Sequence, residues 1–181
     1  MRSEKWLLRQ AMRTALLEAL AYRDSASADL CAQIQALPQW GAARTVGLFY
    51  PLPEEPDLLG LLADRTKRFV FPMVREDGLE WRAAAERDDF QARDIGARRP
   101  LMEPLAGPSV EARELDLLLV PGLAFTVSGG RLGRGGGYYD RALSTLREDA
   151  LSVGVCFACQ LVEALPLEEH DQVVQRVLCG R

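Results

Sequence analysis

The sequence predicts an α/β protein, a three-layer α/β/α arrangement around a mostly parallel central sheet. Three observations carry this. Helical and strand-like segments alternate through most of the 181 residues. The run from Leu115 to Val120, closed by Pro121, is apolar apart from Asp116 and without alternation, as in a strand covered on both faces. Between that strand and a helical pattern stands a glycine-rich loop, at the position where open α/β sheets collect their ligands.

Taken in order, Ser3 to Tyr22 places Leu8, Met12, Ala15, Leu16, Ala19 and Leu20 at helical spacing and predicts a long amphipathic helix. On its polar side Lys5, Arg9 and Arg13 follow at four-residue steps, which costs a few tenths of a kcal/mol per like-charge pair. Spacing alone leaves two readings, a solvated face or a set of donors for phosphates. Ser25 to Leu37 reads as a second helix and Thr45 to Tyr50 as the first core strand, stopped by Pro51 and Pro53, with Glu54 and Glu55 at its carboxyl end. A short helix is expected around Leu58 to Arg65, a strand from Arg68 to Met73 ended near Pro72, and an edge strand over Leu79 to Ala83 carrying Trp81. Ala84 to Glu114 mixes charge, proline and glycine without a period, and is assigned to loops able to close over a ligand. Tyr138 to Arg147 is a helical pattern, Leu151 to Phe157 a buried strand, and Val173 to Leu178 a final strand.

A chain of this length buries roughly 70% of its extended surface in one core, so residues 1–181 are expected to form one domain, and a monomer. With 48% hydrophobic and 27% charged residues and no apolar run of membrane-spanning length, a soluble protein without a membrane partner is expected. The net charge of -4 argues against nucleic acid as a partner. The amino terminus lacks a continuous apolar segment, and Glu4, Glu18 and Asp24 do not suit a transit peptide, so a cytoplasmic location is expected. Cys156 and Cys159 form one isolated C-x-x-C in an apolar stretch, which reads as buried reduced thiols rather than half of a zinc site.

Gly129 to Asp140 holds six glycines, two arginines and a carboxylate in twelve residues. Glycine loses more conformational freedom on ordering than any other residue, so an ordered cluster implies positive φ angles or a ligand against bare backbone. Exposed amides, guanidinium donors and a following helix N-terminus are the parts of a phosphate site. It is not a P-loop, because Gly136 and Gly137 stand where that motif requires Lys and Ser or Thr. Nor does Gly133-x-Gly135-x-Gly137 complete a dinucleotide fingerprint. His170 is the single histidine, and no G-x-S-x-G elbow accompanies it, which excludes the commonest hydrolase layout.

Val120-Pro121-Gly122-Leu123-Ala124-Phe125, continued by Arg131-Leu132-Gly133-Arg134-Gly135-Gly136-Gly137-Tyr138-Tyr139-Asp140, resembles the signature of the 5-formyltetrahydrofolate cyclo-ligase family, also called methenyltetrahydrofolate synthetases. Lys5-x-x-x-Arg9, Glu55 and His170-Asp171 occur in the matching order. The resemblance implies the fold of the sugar-phosphate isomerase and CoA-transferase group, and ATP- and Mg²⁺-dependent closure of 5-formyltetrahydrofolate, free or polyglutamylated, to 5,10-methenyltetrahydrofolate. It implies that Lys5, Arg9, Arg131, Gly133, Arg134, Gly135, Gly136, Gly137 and Tyr138 meet ATP, with Arg134 serving catalysis. Glu55 matches the family's folate-contacting acid, Tyr50, Leu52, Trp81 and Tyr139 are candidates to line the folate site, and Asp140 and Asp171 are implied magnesium ligands. Without the resemblance Asp140 reads equally as a first-turn acid favoured by the helix dipole, and Asp171 as turn chemistry.

Four positions depart from the family pattern. Gln175 stands where Asp is frequent, Cys179-Gly180 where a Thr-Glu pair is, and Gly136 where some relatives carry lysine. The departures near the carboxyl terminus motivate one rival, a non-catalytic folate- or nucleotide-binding module; a shared fold motivates another, an isomerase or acyl transferase working without ATP.

Overall fold

The structure, a computed structural model, describes residues 3–94 and 100–181. Ser3 caps the first helix, its hydroxyl accepting from the Trp6 amide at 3.3 Å. Helix α1 (Glu4–Ala19) buries Met12, Leu16 and Ala19, and passes through a 3₁₀ turn at Leu20–Tyr22 into α2 (Arg23–Gln35). Pro38 opens α3 (Pro38–Ala42), at the helix position where its missing N–H costs nothing. Then come β1 (Thr45–Gly47), β2 (Arg68–Val74), β3 (Leu79–Ala83), β4 (Phe90–Arg93), β5 (Leu101–Pro104), β6 (Ser109–Val110) and β7 (Leu117–Val120). The chain ends with β8 (Ala124–Phe125), β9 (Arg131–Leu132), α4 (Tyr138–Leu143), β10 (Leu151–Phe157) and β11 (Arg176–Gly180).

Seven strands form the main sheet in the order β11-β10-β7-β1-β2-β3-β6. The first five run parallel, whereas β3 and β6 attach as antiparallel pairings at one edge. Strand periodicity divides its side chains between two cores. Val46, Leu117, Leu119, Val153 and Val155 point to one face and pack with Leu30, Ile34 and Trp40 of α2 and α3. Leu118, Val120 and Cys156 point to the other, where they meet Trp81, Phe125 and Ala142. A third cluster joins Met12 and Leu16 of α1 to Leu123, Ala124, Leu132 and Phe157, fixing α1 over the β8–β9 ribbon. Among the described residues no helix is long and apolar enough to cross a membrane.

Four expectations are corrected. Pro72 lies inside β2 and pairs with Trp81, because the β1–β2 register ends at Gly47↔Val70 and nothing beyond it needs the missing N–H. The predicted loop from Ala84 to Glu114 contains the β4–β5 hairpin and β6, with Phe90 and Met102 in the first core; residues 95–99 lie outside the described residues. Helix α4 stops at Leu143, where the hydroxyls of Ser144 and Thr145 bond back to the Arg141 and Ala142 carbonyls at 2.8 and 2.9 Å and end the regular ladder. The last strand begins at Arg176 because Val174 donates instead to the Gly129 carbonyl at 2.9 Å, and Gln175 is tied to Ser152.

Helix α2 lies directly on β11, so that a Cβ built on Gly180 would fall 2.3 Å from the Ala26 carbonyl oxygen. Gly180→Ala must push backbone apart and is expected to cost about 1–3 kcal/mol, read from the midpoint of denaturant unfolding.

At the opposite end of the sheet Asp116 joins three segments. It accepts the Arg44 and Thr45 amides at 2.7 and 2.8 Å and pairs with Arg147. Burial works to raise its pKa, but the Thr45 and Arg44 amides and the Arg147 guanidinium prevail and hold it below the ordinary value of 3.8. A depressed carboxyl contributes stability above its unfolded value, lost as pH falls through the folded value. Below about pH 4 the stability of the wild type is therefore expected to fall more steeply than that of Asp116→Asn, measured by urea unfolding at successive pH values.

Candidate active site

The order of the sheet places a topological switch between β1 and β7, since the chain leaves β1 toward β2 on one side and β7 toward β10 on the other. The segments that follow these two strands diverge and open a crevice at their carboxyl ends. After β1 comes the proline-rich stretch carrying Glu54 and Glu55. After β7 comes the β8–β9 ribbon and then the glycine loop.

Arg134 bridges the crevice. Its Nη2 and Nε donate to Glu55 Oε1 at 2.8 and 3.2 Å, and its Nη1 lies 3.4 Å from Glu54 Oε1. Glu55 is 5% exposed, its second oxygen accepts the Leu52 amide at 3.0 Å, and its carbonyl accepts Arg23 Nε at 2.9 Å. The carboxylate is thus held by Arg134 and the Leu52 amide while Arg23 holds the main chain behind it, and Arg134 is the partner that comes from the glycine loop.

Helix α1 supports that loop from one side, where Arg9 Nε donates to the Gly133 carbonyl at 3.0 Å. Gly135 has φ +111° and Gly137, the N-cap of α4, φ +65°, both in the region where a side chain is strained. Between them these residues turn the loop, in which positions 133 to 137 carry no side chain of their own except that of Arg134.

Beneath the loop lies Arg131, 5% exposed. Its Nη2 donates to Asp140 Oδ1 at 2.9 Å, its Nη1 lies 3.4 Å from the Pro121 carbonyl, and its guanidinium sits 5.8 Å from the Tyr139 ring centre. A Cβ on Gly133 would approach Arg131 Nη1 to 2.8 Å, so the loop backbone rests on the guanidinium itself. Arg131 Nε and the Tyr139 hydroxyl are buried and find no hydrogen-bond partner among the described residues. Burial, reinforced by the charge of Glu55 and opposed by Arg131, pushes the Tyr139 phenol far above its ordinary range, so the hydroxyl stays protonated as a donor.

Lys5 reaches the segment before β11, donating to Asp171 Oδ2 at 2.5 Å and Glu168 Oε2 at 2.8 Å. Burial alone would lower its pKa, but the bonds and charges of Asp171 and Glu168 hold it raised. Asp171 moves the other way: burial opposes, yet Lys5 and the Glu168 amide hold it low. Oxygen and nitrogen atoms of Glu168, His170 and Asp171 lie within 4.8 Å of one another. Asp140 stands close by in the chain network, accepting the Gln172 amide at 3.2 Å. Hard carboxylate oxygens of this kind fit Mg²⁺ by donor chemistry. The cations on and around the loop fit a polyphosphate.

The structure therefore brings Glu55 to Arg134, Arg9 to Gly133 and Gly135, Lys5 to Asp171, and Arg131 to Asp140. It does not bring Trp81 to the crevice: that side chain is 2% exposed in the second core, edge-on to Tyr139 at 6.5 Å. Tyr50 is half-buried against Phe90 at 4.9 Å, and Leu52 offers its amide to Glu55. Tyr138 stacks on Arg141 at 5.1 Å. Asp140 falls outside the donor group that Asp171 forms with Glu168 and His170. Arg23, Glu54, Glu168 and Gln172 join the site without having been singled out. Glu54 and Glu168 lie near acids that were, whereas Arg23 donates its guanidinium to a main-chain carbonyl and Gln172 its main-chain amide to Asp140, contacts that leave no sequence signal.

The altered positions near the carboxyl terminus serve packing. Gln175 accepts the Ser152 amide at 2.6 Å at the amino end of β11, Cys179 pairs in register with Cys156, and Gly180 lies against α2. All four cysteines are free. A thiol hydrogen bond with Cys179 and burial push Cys156 up, so it remains protonated.

Comparison with known proteins agrees with this geometry. A family model described as the 5-formyltetrahydrofolate cyclo-ligase family matches residues 1–180. A 5-formyltetrahydrofolate cyclo-ligase of Mycolicibacterium smegmatis is 33% identical over 181 aligned positions, covering 92% of this chain and 91% of its own. The solved structure of Aquifex aeolicus 5,10-methenyltetrahydrofolate synthetase is similar at a TM-score of 0.84 and 28% identity, over 98% of this chain and 90% of that one. That of a 5,10-methenyltetrahydrofolate synthetase from Mycoplasma pneumoniae shares the fold at a TM-score of 0.69 and 21% identity, over 97% and 98%. On the crevice, the loop and this full-length match, the chain belongs to the 5-formyltetrahydrofolate cyclo-ligase family.

Proposed function

We propose that this protein closes 5-formyltetrahydrofolate to 5,10-methenyltetrahydrofolate with consumption of ATP and release of ADP and phosphate. The observation that carries the reading is the Arg134–Glu55 contact, which joins the glycine loop to the acid at the end of β1 across one crevice. A formamide oxygen is a poor leaving group. ATP supplies the phosphoryl group that makes it a good one, and Mg²⁺ supplies charge neutralisation. The neighbouring bridge nitrogen then forms its bond to the formyl carbon and loses its proton, and the carbon–oxygen bond breaks as phosphate departs.

Such a reaction asks the protein for position and charge rather than for a nucleophile. The amides of Gly133 to Gly137, Arg9 and Arg134 are assigned to the triphosphate. Glu55, a rigid buried acceptor, is assigned to the donor edge of the folate ring system, and Tyr139 presents a protonated hydroxyl beneath the same loop. Asp171, with Glu168 beside it, and Asp140 are assigned to the metal. Arg131 holds Asp140 and carries the loop from below. Before substrates arrive, Arg134 and Glu55 keep one another's charge paired; when both substrates bind, each group takes its own ligand.

The rival non-catalytic module loses its motive, because Gln175, Cys179 and Gly180 are committed to sheet and helix packing. The direct test follows methenyltetrahydrofolate absorbance after mixing the protein with MgATP and 5-formyltetrahydrofolate. ATP-dependent product is expected; no product, or equal product when ATP is omitted, overturns the assignment.

A further inference from the structure

We propose that Arg141 is a phosphate-contacting cation of the nucleotide loop, reaching back from α4 to the place where Gly136 carries no side chain. This rests on nucleotide binding at the loop as proposed above. Arg141 Nη2 lies 3.3 Å from the Gly136 carbonyl, and the guanidinium sits 5.1 Å from the Tyr138 ring centre. A Cβ built on Gly137 would lie 3.0 Å from Arg141 Nη1. On the other flank of the loop a Cβ on Gly135 would lie 3.7 Å from the guanidinium carbon of Arg9. The two arginines therefore bracket Gly135 to Gly137, with the Tyr138 ring against Gly136 between them.

Charge separates Arg141 from most of its neighbours. Lys5 is taken by Asp171 and Glu168, Arg131 by Asp140, and Arg134 by Glu54 and Glu55. Arg141 makes no ion pair among the described residues: its partners are a neutral carbonyl and an aromatic face. These partners hold the guanidinium beside the loop without cancelling its charge, and the side chain is exposed. A cation so placed can turn to an arriving phosphate without breaking a competing salt bridge. Arginine suits the role, since its planar fork stacks on tyrosine while donating in its own plane.

Calorimetry of the intact protein with ATP, ADP and adenosine, in magnesium buffer, tests this with three chains: wild type, Arg141→Gln and Arg141→Lys. Glutamine keeps a donor for the Gly136 carbonyl and loses the charge. Arg141→Gln is expected to weaken ATP and ADP binding about tenfold and leave adenosine unchanged, whereas Arg141→Lys retains most of the affinity. ATP affinity in Arg141→Gln equal to that of the wild type would overturn the inference alone. An equal loss for ATP and adenosine would also overturn it, since that pattern marks loop packing rather than phosphate contact. A wild type that binds no ATP would overturn the proposed function along with it.

Discussion

Arg134→Ala is expected to lower turnover by about 10²–10³-fold, the size of effect seen when a charge-stabilising donor is removed from a transition state. Phosphoryl transfer and phosphate departure both build negative charge on oxygens, and Arg134 is the loop cation that already reaches across the crevice to the acid assigned to folate. Its side chain is 34% exposed and supports no apolar cluster, so the fold does not depend on it. Glu55 keeps the Leu52 amide when Arg134 is gone, and the stability cost is expected to be about 1–2 kcal/mol. The measurement is kcat for methenyltetrahydrofolate formation at saturating MgATP, alongside denaturant unfolding. A kcat within about threefold of wild type would show that no transition-state contact was lost.

The largest expected effect on stability is at Arg131. Its pairing with Asp140 is buried, with the side chains 4% and 18% exposed. Charges of this kind are costly to strand: removing one partner of a buried pair typically costs 3–5 kcal/mol. Asp140 keeps one other donor, the Gln172 amide, so Arg131→Ala is placed near about 3 kcal/mol, or roughly 10 °C in melting temperature for a chain of this size. The loop backbone resting on the guanidinium would lose its support as well. Arg131→Met combined with Asp140→Asn is expected to recover part of the loss, because the combination no longer leaves an unpaired buried charge. A single substitution that leaves the melting temperature unchanged, or a double substitution worse than both singles added, contradicts this account.

The sheet was legible where local pattern alone decides structure. Leu117 to Val120 is a continuous apolar run, and Leu151 to Phe157 is apolar apart from Ser152, because both faces of those strands are covered, one by α2 and α3 and the other by Phe125 and Ala142. The β4–β5 hairpin was not legible, because its polar residues are satisfied at a distance. Glu103, 1% exposed, accepts the Val74 amide at 2.8 Å and pairs with Arg93 at 2.8 Å, a solution that no periodicity records. Pro72 looked like a strand end because a sequence does not reveal which edge its missing N–H will face.

The site divides in the same way. Glycine density marked the loop, since backbone that must turn through positive φ tolerates few other residues. The contact of Glu55 with Arg134 depends on a switch point that exists only once strand order is known. Trp81 was misplaced for a related reason: an aromatic in a short strand can face crevice or core, and here it closes the core beneath Tyr139. Arg131 and Arg134 are three residues apart and chemically alike, yet the first belongs to the β9 ribbon and is sealed under the loop while the second stands on it.

A crystal structure of the protein with Mg²⁺ and a non-hydrolysable ATP analogue addresses the central claim most directly. The account predicts the terminal phosphate against the amides of Gly133 to Gly137, with the Arg134 guanidinium turned from Glu55 to meet it. A triphosphate bound elsewhere, with the Arg134–Glu55 contact undisturbed, would contradict it.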